Sequence, residues 1–313
     1  MTATNQHTIY FERRCLAMLL GLCLLASMAH AEEQLELITT LSHPALTEVS
    51  GMTASGWPGV FWLHNDSGDE ARLFAVNSSG EVLMPGYLAS RYQSEPWPGL
   101  KLLNAWNVDW EDLTRSPDGT LFITDLGNNG NARRDLGIYV LAEPNPLAIA
   151  QSRALTFLPV RYPDQQQFPA KLWHFDCEAV FHVDGELYFL TKHRKPGEIV
   201  GWEAGSKLYR LDSRFTNRDN VLTEVSQSAK LTLATAADIS PDQQHLAVLT
   251  YLGVWLLRRP DQGDDWLSGK SRFISLPREQ LKTSEAMTWE SAQSLIIANE
   301  EGDLLRLTLD TLP

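Results

Sequence analysis

The sequence is short of cysteine, of helical periodicity, of basic clusters and of long apolar runs, and each shortage closes off a class of answer. Of three cysteines in 313 residues, Cys15 and Cys23 fall within the first 31, which leaves Cys177 without a partner for an intrachain disulfide. Beyond residue 31 no apolar run reaches the roughly 18 to 20 residues that span a bilayer, so a membrane span is not expected. No run of lysine or arginine relieves the formal net charge of −13. Such a surface repels a phosphate backbone, which argues against nucleic acid as a partner. There is no G-x-S-x-G elbow, and no serine stands out as the nucleophile of a Ser-His-Asp triad.

What the sequence does have begins with a leader. Arg13 and Arg14 precede an apolar stretch from Cys15 to Ala26, and Ala29-His30-Ala31 follows just before Glu32. That is the pattern of a secretory signal peptide with a small-residue cleavage site. Leu22 stands before Cys23 where a lipid-anchor signal would carry a small residue. The expectation is a signal peptide over residues 1–31 and a single mature domain over 32–313, in the periplasm or outside the cell. Cleavage removes Glu12, Arg13 and Arg14 and moves the formal charge from −13 to −14.

In the remainder, short stretches rich in Val, Leu, Ile, Phe, Tyr and Trp alternate with Gly, Asn, Asp and Pro turns, which predicts an all-β fold. A unit recurs, as radial repeats do. Its first strand opens at S-G-M-T-A (Ser50), W-E-D-L-T (Trp110), C-E-A-V-F (Cys177), A-D-I-S-P-D (Ala237) and S-E-A-M-T (Ser284). Its third strand reads R-L-F-A-V, G-I-Y-V-L, K-L-Y-R-L, G-V-W-L-L and L-L-R-L-T. The fold class is therefore a β-propeller. Spacings of 61, 67, 60 and 47 between Ser50, Glu111, Glu178, Asp238 and Glu285 favour five blades. Six stay open, because Tyr87 to Asn107 and Leu158 to Phe175 have room for further strands. The last copy is one strand short, and Leu35 to Leu41 is expected to complete it and remove the exposed edge.

In a propeller the inner strands begin, and the second strands end, at one face of the disc, so residues from those places converge on the channel mouth. Inner-strand starts contribute Ser50, Glu111, Asp112, Glu178, Asp238 and Glu285. Second-strand ends contribute His64, Asn65, Asp66, Asp125, Asn128, Asn129, Lys192, His193, Tyr251, Asn299 and Glu300. Clustered carboxylates repel one another unless cations, hydrogen bonds or protons compensate. A hard divalent cation with oxygen ligands, such as Ca²⁺, is one compensator; Lys192, His193 and His64 are another, and hydrogen bonds to amides of neighbouring blades a third. Glu111, in D-W-E-D-L beside D-L-G-N-N, is the leading functional carboxylate. His64 and His193 are the candidate proton carriers. In the fourth copy the acid, Asp238, sits nearer its following turn than in the others. Cys177 points to the opposite side from Glu178 on an alternating strand and reads as a buried hydrophobe. Trp97, Trp106 and Trp110 flank a Pro-rich insertion and are candidates for a wall beside the site.

At H-N-D-S-G-D, D-W-E-D-L, D-L-G-N-N, C-E-A, T-K and A-D-I-S-P-D the chain resembles a broad group of bacterial secreted propeller proteins, over about Val49 to Glu300. More distantly it is similar to the calcium-dependent propellers of the gluconolactonase and regucalcin type. That resemblance implies a central divalent ion and makes Glu111, Glu178, Asp238 and Asn65 the nearest candidates for its ligands. Two functions compete: a binding or scaffold propeller for a small molecule, glycan or protein, and a metal-dependent hydrolase of a small ester, lactone or phosphoester. A glycosidase with paired carboxylates ranks behind both.

Overall fold

Stretches such as V-F-W-L from Val60 and L-Y-F-L from Leu187 are too apolar for strands with one wet face. Continuous runs of that kind are buried on both sides. In the computed structural model, which describes residues 34–313, they become the middle strands of five sheets set radially around an axis. The expected leader, with Cys15, Cys23 and the cleavage site after Ala31, lies outside the described residues.

The first strand, β1 (Gln34–Thr40), belongs to the last sheet. Blade one holds β2 (Val49–Ala54), β3 (Val60–Asn65), β4 (Arg72–Asn77) and β5 (Leu100–Leu103). Blade two holds β6 (Leu113–Arg115), β7 (Thr120–Asp125), β8 (Gly137–Ala142) and β10 (Thr156–Arg161), and β9 (Gln151–Arg153) runs parallel to β5 at the rim of blade one. Blade three holds β11 (Trp173–Val183), β12 (Glu186–Lys195), β14 (Ser206–Arg210) and β16 (Thr223–Ser228). Its short strand β13 (Glu198–Trp202) pairs back on β12, and β15 (Asn220–Val221) lies parallel to β10 on blade two. Blade four holds β17 (Ala234–Ile239), β18 (His245–Thr250), β19 (Gly253–Arg258) and β20 (Ser271–Ser275). Blade five holds β21 (Ser284–Ser291), β22 (Ser294–Asn299) and β23 (Asp303–Thr308), and β1 closes it antiparallel to β23.

The chain is thus an all-β propeller of five blades. The two segments that left room for a sixth blade instead carry β5 and β10, the outer strands of blades one and two. The inner strands β2, β6, β11, β17 and β21 touch in succession, and β21 meets β2 to close the ring.

Alternation decides where each side chain goes. Along β3, Phe61 and Leu63 face blade five and pack with Ala286, Ile296 and Leu304, while Trp62 faces blade two and packs with Leu113, Leu121 and Leu141. Each blade interface has its own apolar core of this kind. Cys177 is fully buried in the core between blades two and three, where burial pushes its thiol well above the usual range. Among the described residues no helix is long and apolar enough to cross a membrane.

Candidate functional site

The registers show how the fold gathers polar residues. Val49 pairs with Asn65, Asp176 with Lys192, Ala234 with Thr250 and Ser284 with Asn299, so inner-strand starts lie against second-strand ends. In four blades the ladder then slips by one residue, leaving Ser50, Glu178, Thr235 and Glu285 as the extra residue. A bulge of this kind re-aims a side chain. Blade two holds the same position through the backbone, where Glu111 and Asp112 both hydrogen-bond Thr124. The fourth-blade counterpart of Glu111 is therefore Thr235, not Asp238.

A cavity of about 750 Å³ opens at this mouth, and Asp66, Glu111, Glu178, Lys192, Tyr251 and Glu285 are among its walls. On the blade-three side two cations, Lys192 and Arg194, sit among three carboxylates. Lys192 Nζ lies 2.8 Å from Glu178 Oε2, 3.2 Å from the Tyr251 hydroxyl and 3.8 Å from Glu285 Oε1. Burial opposes the ammonium charge, but Glu178, Tyr251 and Glu285 outweigh it and hold the Lys192 pKa well above its ordinary value. Arg194 Nη2 lies 3.1 Å from Glu178 Oε1, Arg194 Nε also binds Asp176, and Tyr251 donates to Glu285.

On the side of blades one and two the charges are not matched. Oxygens of Asp66, Asp109 and Glu111 lie within 4.8 Å of one another, and Glu111 also forms a second such group with Asp176 and Glu178. Among the described residues no donor hydrogen-bonds the Glu111 carboxyl, which is 5% exposed. Burial first, then the charges of Glu178, Asp66 and Asp109, push its pKa well up. Burial likewise takes Asp66 to about 7, with Glu285 and Asp109 adding to it, and takes Asp109 to about 6. The turn D-L-G-N-N packs onto this group so closely that a side chain at Gly127 would strike Glu111 and Asp109.

Of the residues singled out from sequence, Asp66, Glu111, Asn129, Glu178, Lys192, Tyr251, Glu285 and Glu300 meet in the cavity, while others serve the scaffold. Asn65 donates to the Ala45 carbonyl and to Asp69, both at 2.7 Å. Asp112 accepts from the amides of Leu113, Val180 and Ala237, tying blade two to three and four. Asp238 accepts from Thr288 and the Trp289 amide of blade five, and burial raises it to about 6. Asp125 pairs with Arg133 at 2.9 Å. Asn128 links its loop to Asp176 and Phe175, and Asn299 accepts from the Asp303 amide.

The two histidines lie outside the cavity walls. His64 is fully buried, with Nδ1 near Ser50 and the Asn65 carbonyl, its ring edge-on to Trp110, and burial lowers its pKa to about 4. His193, next to Lys192 on an alternating strand, stacks on His174 at 3.7 Å, and burial lowers its pKa to about 3. The aromatic wall is Trp202 and Tyr251; Trp110 is buried beneath, and Trp106 is exposed away from the cavity walls. Asp176 and Arg194 escaped notice, although the period of two that places Glu178 and Lys192 also places residues 176 and 194 on the same faces.

Fold and site together define a five-bladed β-propeller with a cluster of carboxyl groups at one channel mouth. No family model matches the chain, and no curated protein matches it. Among solved structures it is similar to the PQQ-bound aldose sugar dehydrogenase of Streptomyces coelicolor, at 9% identity over 89% of this chain and 98% of that one, with a TM-score of 0.46. It is also similar to a gluconolactonase of Xanthomonas campestris, at 14% identity over 92% and 93%, TM-score 0.44. The soluble aldose sugar dehydrogenase of Escherichia coli aligns at 9% identity over 88% and 99%, TM-score 0.45. These are distant likenesses of fold, and they assign this chain no activity.

Proposed function

We propose that the chain is an exported binding protein that takes a small polar ligand at the channel mouth, through a divalent cation held by Asp66, Asp109 and Glu111. The observation that carries this reading is three crowded carboxyls with raised pKa that form no ion pair among the described residues, beside a blade-three side where Lys192 and Arg194 pair with Glu178. An all-oxygen donor set suits Ca²⁺. The cavity, at about 750 Å³, is far larger than an ion and has the size of a small-molecule site. Export rests on the leader pattern before Glu32.

A second reading, a metal-dependent hydrolase of a small ester, lactone or phosphoester, is favoured by Glu300. It lines the same cavity outside the carboxyl group, and burial with the nearby Glu285 and Glu48 raises it to about 7, suited to moving a proton near neutral pH. The bound ion would polarise the carbonyl or phosphoryl oxygen. Lys192 and Tyr251 would orient the substrate, and Glu300 takes the proton role that His64 and His193 are too buried to fill.

The test is calorimetric melting in EDTA, Ca²⁺, Mg²⁺ and Mn²⁺ with elemental analysis, on the wild type and Glu111→Gln. An ion at 100 times its Kd adds about 2.7 kcal/mol, so an ion-selective rise in Tm is expected for the wild type and not for Glu111→Gln. No rise and no bound metal would leave a scaffold whose mouth takes no cation.

A further inference from the structure

The strand β12 runs past the edge of its blade, turns at Pro196 and Gly197, and returns as β13 beside the mouth. Arg194 with Trp202 and Lys195 with Glu198 are in register there, with an irregularity between them, and at the base the Glu203 amide donates to the His193 carbonyl at 2.9 Å. Such thin pairing holds a hairpin weakly. Its apolar residues are not packed into a core: Ile199 is 58% exposed, Val200 93% and Trp202 50%, and the last two line the cavity.

One side chain joins the hairpin to the site. Arg194 donates from Nη1 to the Ile199 carbonyl at 2.6 Å, while its Nε and Nη2 are bound to Asp176 and Glu178. All three contacts come from one planar, charged fork, which is a stiff connection. We infer that residues 195–202 form a lid on the mouth and that Arg194 is its latch. The lid lowers Val200 and Trp202 over whatever the mouth holds and releases them when the fork lets go of Ile199. This rests on the mouth being the ligand site, but the latch itself works without any ion.

Amide hydrogen exchange in EDTA tests it. In Arg194→Gln the amides of residues 197–202 should exchange on the order of ten-fold or more faster than in the wild type, with β22 unchanged. Unchanged exchange in the hairpin overturns the latch. Should the glutamine variant unfold, Arg194→Lys keeps the charge beside Asp176 and Glu178 but lacks the third branch to Ile199. It should show the same confined acceleration, and its absence overturns the proposal too. Both samples are metal-free, so a failed latch is distinct from a failed cation site, which the Ca²⁺ melts report separately.

Discussion

Asp66 sits in a turn held by Asn107, whose amide donates to the carbonyls of Asn65 and Asp66, and burial there carries its carboxyl from 3.8 to about 7. A folded-state pKa above the unfolded one means that the native state holds its proton more tightly. Below pH 4 the group costs nothing; between pH 4 and 7 stability is lost, and above 7 the whole penalty is present. In EDTA, Asp66→Asn should therefore match the wild type at pH 4 and exceed it by about 1–2 kcal/mol at pH 8, the shift being discounted for partial exposure. Urea unfolding at both pH values measures it. An equal difference at the two would show that Asp66 is not strained. Sequence placed Asn65 and Asp66 side by side at the mouth but did not separate them, because what turns Asn65 away is Ala45, twenty residues distant. His64 is placed by contacts of the same kind: its surroundings are Ser50, Gly51 and Trp110, brought there from other parts of the chain.

Strand starts carry two kinds of acid, and the strand's register sorts them. Glu178 and Glu285 occupy slipped positions and reach the cavity, whereas Asp112 lies one residue past Glu111 and points into the ring. The repeat in sequence revealed the strands and most of the equivalences, since E-D-L-T, E-A-V-F and E-A-M-T align by eye. It misled at A-D-I-S, where the matching residue is Thr235, a hydroxyl that bonds the Ser284 carbonyl as Ser50 bonds that of Trp110. A one-residue slip is decided by pairing with the second strand and leaves no mark on composition. Asp112→Ala strands the amides of Leu113, Val180 and Ala237 in the interior. A loss of about 3 kcal/mol is expected, from unpaired buried donors and the space left behind. Chemical denaturation checks it, and a loss under about 1 kcal/mol would show that the three amides find other acceptors.

Across the whole molecule the ring depends on one strand joining two ends of the chain. Five repeats and a missing outer strand were both legible, because a blade that lacks its outer strand leaves an unpaired edge that some other segment must cover. β1 does so along its length, from Gln34 opposite Thr308 to Thr40 opposite Asp303. Side chains reinforce the match: Thr40 Oγ1 donates to Asp303 at 2.7 Å and Arg306 reaches Glu36 at 3.0 Å. Leu35 packs on the core between blades four and five, and Ile38 on that between five and one. Removing residues 34–40 would strip both contacts and bare the edge of β23, which carries the buried Leu304, Leu305 and Leu307. A chain starting at Leu41 should melt about 10 °C or more below one starting at Gln34, as the loss of several kcal/mol implies for a domain of this size. It should also associate through the open edge, seen as oligomers in sedimentation velocity. An unaltered Tm with a monomeric chain would mean that the ring is held by its inner strands alone, through β21 against β2, and that β1 is a cover rather than a clasp.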